Sequence, residues 1–104
     1  MVWTSLPSPE DIAMDCLTDK LYWTDSENNR IEVVCLKTKM RRVIIWEDID
    51  QPRAITLDTG SRIMFWTDWG EYPKIERGSM DGGNRKVSHI TRHFYILNRT
   101  NDKS

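Results

Sequence analysis

A few side chains in this sequence have types and spacing that could do chemistry. His89 and His93 stand four positions apart, the interval that sets two imidazoles on one helix face for zinc. That arrangement needs a Glu directly after the first His. Ile90 stands there instead, in a strand-like context, so no metal centre is expected. Asp25 and Asp68 each close a Trp-Thr-Asp triplet. Either carboxylate could hold a cation, but nothing else joins them at metal-ligand spacing, so capping of a turn or a backbone network is the expected role. Cys16 and Cys35 are the 2 cysteines, too few for a disulfide framework. No Ser–His–acid set, glycine-rich phosphate loop or pair of catalytic carboxylates stands out. Neither an enzyme nor a cofactor is expected. Asn98-Arg99-Thr100 is an N-glycosylation sequon, meaningful only on an exported chain.

The elements that must position these groups come in two copies. Leu21-Tyr22-Trp23-Thr24-Asp25 returns as Met64-Phe65-Trp66-Thr67-Asp68. Pro9 returns as Pro52, Ile12 as Ile55 and Asp15 as Asp58, each 43 positions on. One residue is gained after the second triplet, so Ile31 returns as Ile75, Glu32 as Glu76, Arg41 as Arg85 and Val43 as Val87, each 44 on. A period of this length with several short β-like runs per copy marks a propeller blade. Each copy reads as four strands. The first has Asp11 to Asp15, Lys20 to Thr24, Arg30 to Leu36 and Arg42 to Trp46. The second has Ala54 to Asp58, Arg62 to Thr67, Lys74 to Met80 and Arg85 to Ile90. Glu47 to Gln51 is a polar link. Asp81-Gly82-Gly83 suits a tight hairpin, whereas Lys37-Thr38-Lys39 predicts a looser one. The expected organisation is all-β: blade one over about 8–47, blade two over about 51–90, and a frayed tail over 91–104.

Bulk properties bound the rest. A net charge of −1 with 30% charged residues gives no basic footprint for nucleic acid. No apolar run approaches the roughly 18 residues of a membrane span, and the first residues lack the basic and apolar regions of a signal peptide. Cys16 and Cys35 are placed on the first and third strands of one blade. Two strand spacings of about 4.8 Å hold them beyond disulfide reach, so both are expected as free thiols.

The Tyr-Trp-Thr-Asp repeat resembles the β-propeller repeat of the low-density lipoprotein receptor family. Tyr22 to Val33, Asp50 to Ile55 and Phe65 to Arg77 are similar to the first propeller of the Wnt co-receptors in that family. The resemblance covers about Met1 to Ile90. It implies two blades of a six-bladed propeller, normally followed by a cysteine-rich growth-factor-like module that this sequence does not contain. It also implies an extracellular receptor setting, although the chain itself carries no recognisable signal peptide or membrane span. There are departures. Asp11 stands where the family favours Gly, Cys16 where Trp is common, and Lys37-Thr38 where Asp-Gly is usual; 91–104 loses the Pro-x-Gly pattern that opens a further blade.

The resemblance places the loops holding Glu27, Arg53 and Trp69 on the ligand face, with Ser8 and Glu10 as rim members. Trp69, the inserted residue beside Gly70, is expected to face solvent as an apolar anchor. Glu27 and Arg53 would add charge-assisted hydrogen bonds. The plainer readings are a solvated turn acid for Glu27, an interblade ion pair for Arg53 and a ring folded onto its own loop for Trp69. Trp23 and Trp66 are expected to fill the wedge between blades, each indole N–H finding an acceptor. The implied partners are secreted proteins, Wnt-type ligands or antagonists carrying an Asn-x-Ile type motif. Two alternatives stand beside this. Open blade faces invite self-association, three copies making a six-bladed ring. Or the chain is a truncated relic without independent function, since repeat arrays need about three units for a stable core.

Overall fold

Runs of β-branched and aromatic residues, broken at short intervals by Asp, Asn, Ser or Gly, favour short antiparallel strands over any other backbone arrangement. The computed structural model describes residues 9–89. Its eight strands make two sheets. β1 (Asp11–Asp15), β2 (Lys20–Asp25), β3 (Arg30–Cys35) and β4 (Arg41–Ile45) form the first in that order. β5 (Pro52–Asp58), β6 (Ile63–Asp68), β7 (Lys74–Ser79) and β8 (Lys86–His89) form the second. Every neighbouring pair is antiparallel. The described residues are all-β, one sheet per repeat, each a propeller blade. Cys16 is not on a strand as expected: β1 stops at Asp15, and Cys16 sits exposed in the turn that follows. Both thiols are free.

The turns follow their residues. Asp19 and Arg62, equivalent positions before the second strand of each blade, take positive φ of 54° and 56°. In blade one the β3–β4 hairpin closes with Cys35 N–H to Met40 O at 3.0 Å, and Lys39 is forced into the left-handed region. In blade two Ser79 N–H reaches Gly83 O at 2.8 Å, with Gly82 at φ 95°. The first hairpin thus encloses one residue more, the wider loop expected where glycine is lacking. Gly82 is doubly required: a Cβ there would strike the Ile44 carbonyl of the other blade.

The core lies between the sheets. Tyr22, Ile31, Ile44 and Ile45 from blade one meet Ile55, Met64, Trp66 and Met80 from blade two. Ile49 of the linking segment plugs the same cluster, so that segment is not wholly polar. Alternation explains the sides taken. Met64, Trp66 and Asp68 share one face of β6 and all are buried. Polar contacts lock the blades together. Tyr22 Oη donates to Met80 O at 3.0 Å and Thr24 Oγ1 to Arg53 O at 2.6 Å. Ile55 N–H donates to Asp11 Oδ2 at 2.9 Å, and Arg62 Nη2 to Asp15 Oδ2 at 2.8 Å. Asp11, where the family favours Gly, therefore caps a strand of its neighbour.

Trp23 lies on the other face of blade one, in a smaller cluster with Leu21 and Val34, flanked by Ile12 and Leu36. A guanidinium covers each repeated indole: Arg41 is 5.3 Å from the Trp23 ring and Arg85 5.6 Å from Trp66. Glu32 holds Arg41 at 3.4 Å and Glu76 holds Arg85 at 2.9 Å. Arg85 also donates to the carbonyls of Glu47 and Asp48, fastening the link to blade two. Contrary to expectation, both indole N–H groups are buried with no acceptor among the described residues. The guanidinium over each ring face, not a hydrogen bond at its edge, is the polar contact these tryptophans keep.

Candidate functional site

Strand direction sorts the loops into two ends. The β2–β3 turn, the β6–β7 turn and the β4–β5 link emerge at one end; the β1–β2, β5–β6, β3–β4 and β7–β8 turns emerge at the other. All the sequence-designated binding residues that lie within the described range belong to the first end. Ser8 and Asn98 fall outside the described residues, as does His93.

Two aspartates build this end. Asp25 Oδ1 accepts from the N–H groups of Glu27 (3.1 Å) and Asn28 (2.9 Å), and its Oδ2 from Asn28 Nδ2 at 2.9 Å. Asp68 Oδ1 accepts from Gly70 N–H at 3.0 Å and its Oδ2 from Asp50 N–H at 3.1 Å. Arg30 and Lys74 lie 3.6 and 3.5 Å from these carboxylates. Each aspartate is buried and shapes its turn through backbone amides, with a cation from the next strand balancing its charge. Gly70 is held against Asp50 so closely that any side chain would collide with it. Among the described residues no group of three metal-ligating side chains converges.

On this frame Glu10, Arg53 and Trp69 come together. Arg53 Nε lies 3.7 Å from Glu10 Oε1, and its guanidinium stands 5.6 Å over the Trp69 ring. Ser26 Oγ donates to the other Glu10 oxygen at 3.4 Å. Trp69 N–H is tied to Gln51 O at 3.1 Å, which fixes where the ring starts. The row crosses the blade boundary: Glu10 enters β1 and Arg53 belongs to β5. Glu27 is exposed in the neighbouring turn. Trp69 corrects an expectation, since its ring is half-buried, not solvent-facing. Arg53 reaches across from the other strand and covers it, a contact between distant residues that turn composition does not reveal. The Glu10–Arg53 pair is itself exposed, 41% and 44% by side chain, so its net stabilising effect is small.

Two aromatics were overlooked. Tyr72 is 73% exposed in the same β6–β7 turn as Trp69, and Trp46 is 62% exposed just after β4. Both emerge at this end. Tyr72 had a signal: an aromatic between Glu71 and Pro73 in a turn has no core to enter. Trp46 had none, since it closes an apolar run that reads as strand.

Glu10, Arg53 and Trp69 thus form one row across the blade boundary, and comparison with known proteins shows what the two blades are similar to. The model of the low-density lipoprotein receptor repeat class B matches residues 19–59 and 62–87. Low-density lipoprotein receptor-related protein 5 of Mus musculus is 55% identical over 73 residues, covering 70% of this chain and 4% of that protein. The low-density lipoprotein receptor-related protein 5-like protein of Homo sapiens is 38% identical over 87 residues, 84% of this chain and 34% of its own length. A chain in the crystal structure of a nidogen/laminin complex superposes with a TM-score of 0.78 at 40% identity, covering 85% of this chain and 34% of that one. This chain therefore spans about a third or less of the length of these relatives. Within that span, with both repeats matched and both blades formed, the chain belongs to the low-density lipoprotein receptor class B repeat family.

Proposed function

We propose that the two blades are a non-catalytic protein-recognition segment of a receptor propeller, with the end bearing Glu10, Glu27, Arg53 and Trp69 as the binding face. The carrying observation is the Glu10–Arg53–Trp69 row across the blade boundary. It offers an aromatic edge, a guanidinium and two carboxylates, counting Glu27, on a rigid rim of aspartate-capped turns. Aromatic and Arg groups on a stiff support are the common anchors of protein interfaces. Tyr72 and Trp46 extend the apolar area beside them. The kinship with a receptor-related protein supports secreted proteins as the ligand class, Wnt-type ligands or antagonists with an Asn-x-Ile type motif.

Because Arg53 covers Trp69, the ligand competes for that guanidinium or docks against it, and Arg53 and Trp69 act as a unit. Surface plasmon resonance against a synthetic peptide carrying the Asn-x-Ile motif tests this. Trp69→Ala and Arg53→Ala are each expected to weaken binding by about tenfold or more, with a double-variant loss smaller than the product. Unchanged binding in Trp69→Ala, with the fold intact by circular dichroism, would sink the assignment.

A further inference from the structure

The other end of the blades holds a groove of about 870 Å³ between the two sheets. Cross-strand pairing sets Lys20 opposite Cys35 and Val33 opposite Arg42, so the Tyr22 face of blade one carries Lys20, Cys35 and Arg42 to its mouth. Arg62, Ser61 and Asn84 line the facing wall. The nearby acids are already engaged. Asp15 binds Arg62, Thr18 Oγ1 and Leu17 N–H, and Asp81 Oδ1 accepts from Gly83 N–H at 2.9 Å. The cations are not matched in the same way. Lys20 and Arg42 have no carboxylate partner among the described residues; Arg42 reaches only the Asp81 carbonyl, at 3.3 Å. Arg62 Nη1 is buried with no hydrogen-bond partner among the described residues. An unsatisfied guanidinium N–H beside two uncompensated cations is a donor set awaiting acceptors.

We propose that this groove binds a tetrahedral oxyanion, the sulfate or phosphate ester of a small molecule, with Arg62, Arg42 and Lys20 as charged donors and Ser61 and Asn84 as neutral ones. Guanidinium groups match such anions with paired N–H bonds, and Lys20 adds a point charge. The site is independent of the binding face, which lies at the opposite end of every strand.

The two thiols provide the test. Cys35 lines the groove and is half-buried, while Cys16 is exposed in the β1–β2 turn. Hydrogen bonds from Thr38 hold the Cys35 thiol below its ordinary pKa, so neutral iodoacetamide will alkylate it. Alkylation at both sites would be followed by mass spectrometry at constant ionic strength, with glucose 6-sulfate or glucose 6-phosphate added. The expected result is saturable protection of Cys35 with Cys16 unchanged, and the same half-saturation by calorimetry. The ester that protects at lower concentration identifies the source as sulfated sugar or phosphate ester. Replacing Lys20→Gln and Arg42→Gln together should raise half-saturation by about tenfold or more. No saturable protection and no calorimetric binding, equal protection of both thiols, or an unchanged half-saturation in the double variant would each overturn the proposal.

Discussion

Blade one and blade two carry the same repeat, yet they bury it differently. Along β2 every residue from Leu21 to Asp25 is buried, whereas along β6 burial alternates, with Met64, Trp66 and Asp68 covered and Ile63, Phe65 and Thr67 only half so. The cause is position, not sequence. The Tyr22 face of blade one is packed by the Trp66 face of blade two, while Phe65, the equivalent of Tyr22, faces away from that contact. A blade's faces are thus stabilised by what stands beside them, and equivalent residues need not contribute equally.

Trp66 and Trp23 give the largest test of that difference. Trp66→Ala opens a hole in the cluster joining the sheets and should cost about 3–5 kcal/mol. Trp23→Ala should cost less by about 1 kcal/mol or more, because Leu36 and the Arg41 side chain can settle into the gap. Denaturant melts of both variants decide it, and equal losses would mean the two faces are packed alike.

Tyr22 and Phe65 sharpen the comparison on the opposite faces. Tyr22→Phe leaves Met80 O without the hydroxyl donor and should cost about 1–2 kcal/mol, whereas Phe65→Tyr should change little. The same melts check both.

A separate expected effect is a pH dependence at the joint between the blades. The Arg62 guanidinium, more than any other group, holds the Asp15 carboxyl at about 2, below its ordinary 3.8. With the folded value depressed, the stability it contributes is complete above the ordinary value and is lost as pH falls through about 2. Asp15→Asn should therefore flatten the acid limb of stability between about pH 4 and 2, read by denaturant melts of the variant and the parent across that range.

Much of the fold was legible because the 43-residue echo preserves strand alternation, and alternation is a local property. Strand limits moved by a residue or two, and the wider Lys37-Thr38-Lys39 hairpin followed from its lack of glycine. Contacts between blades were not legible. Asp11 capping Ile55, Arg53 covering Trp69 and Ile49 plugging the core all join segments far apart in sequence. The turn aspartates were readable from residue type alone, because Asp before a polar turn has backbone amides within reach. The unpartnered indole N–H groups were not, since the guanidinium over each ring face comes from outside the motif, Arg41 at the start of β4 and Arg85 just before β8.

The most direct test of the binding face is a nitrogen-15 NMR titration of the whole chain with the Asn-x-Ile peptide. Shift changes should gather at the Trp69 indole and at the backbone amides of Glu27, Arg53 and Tyr72, leaving Lys20, Cys35 and Arg62 still. Changes gathered instead at the Lys20 and Cys35 end, or no saturable change at Trp69, would contradict the account.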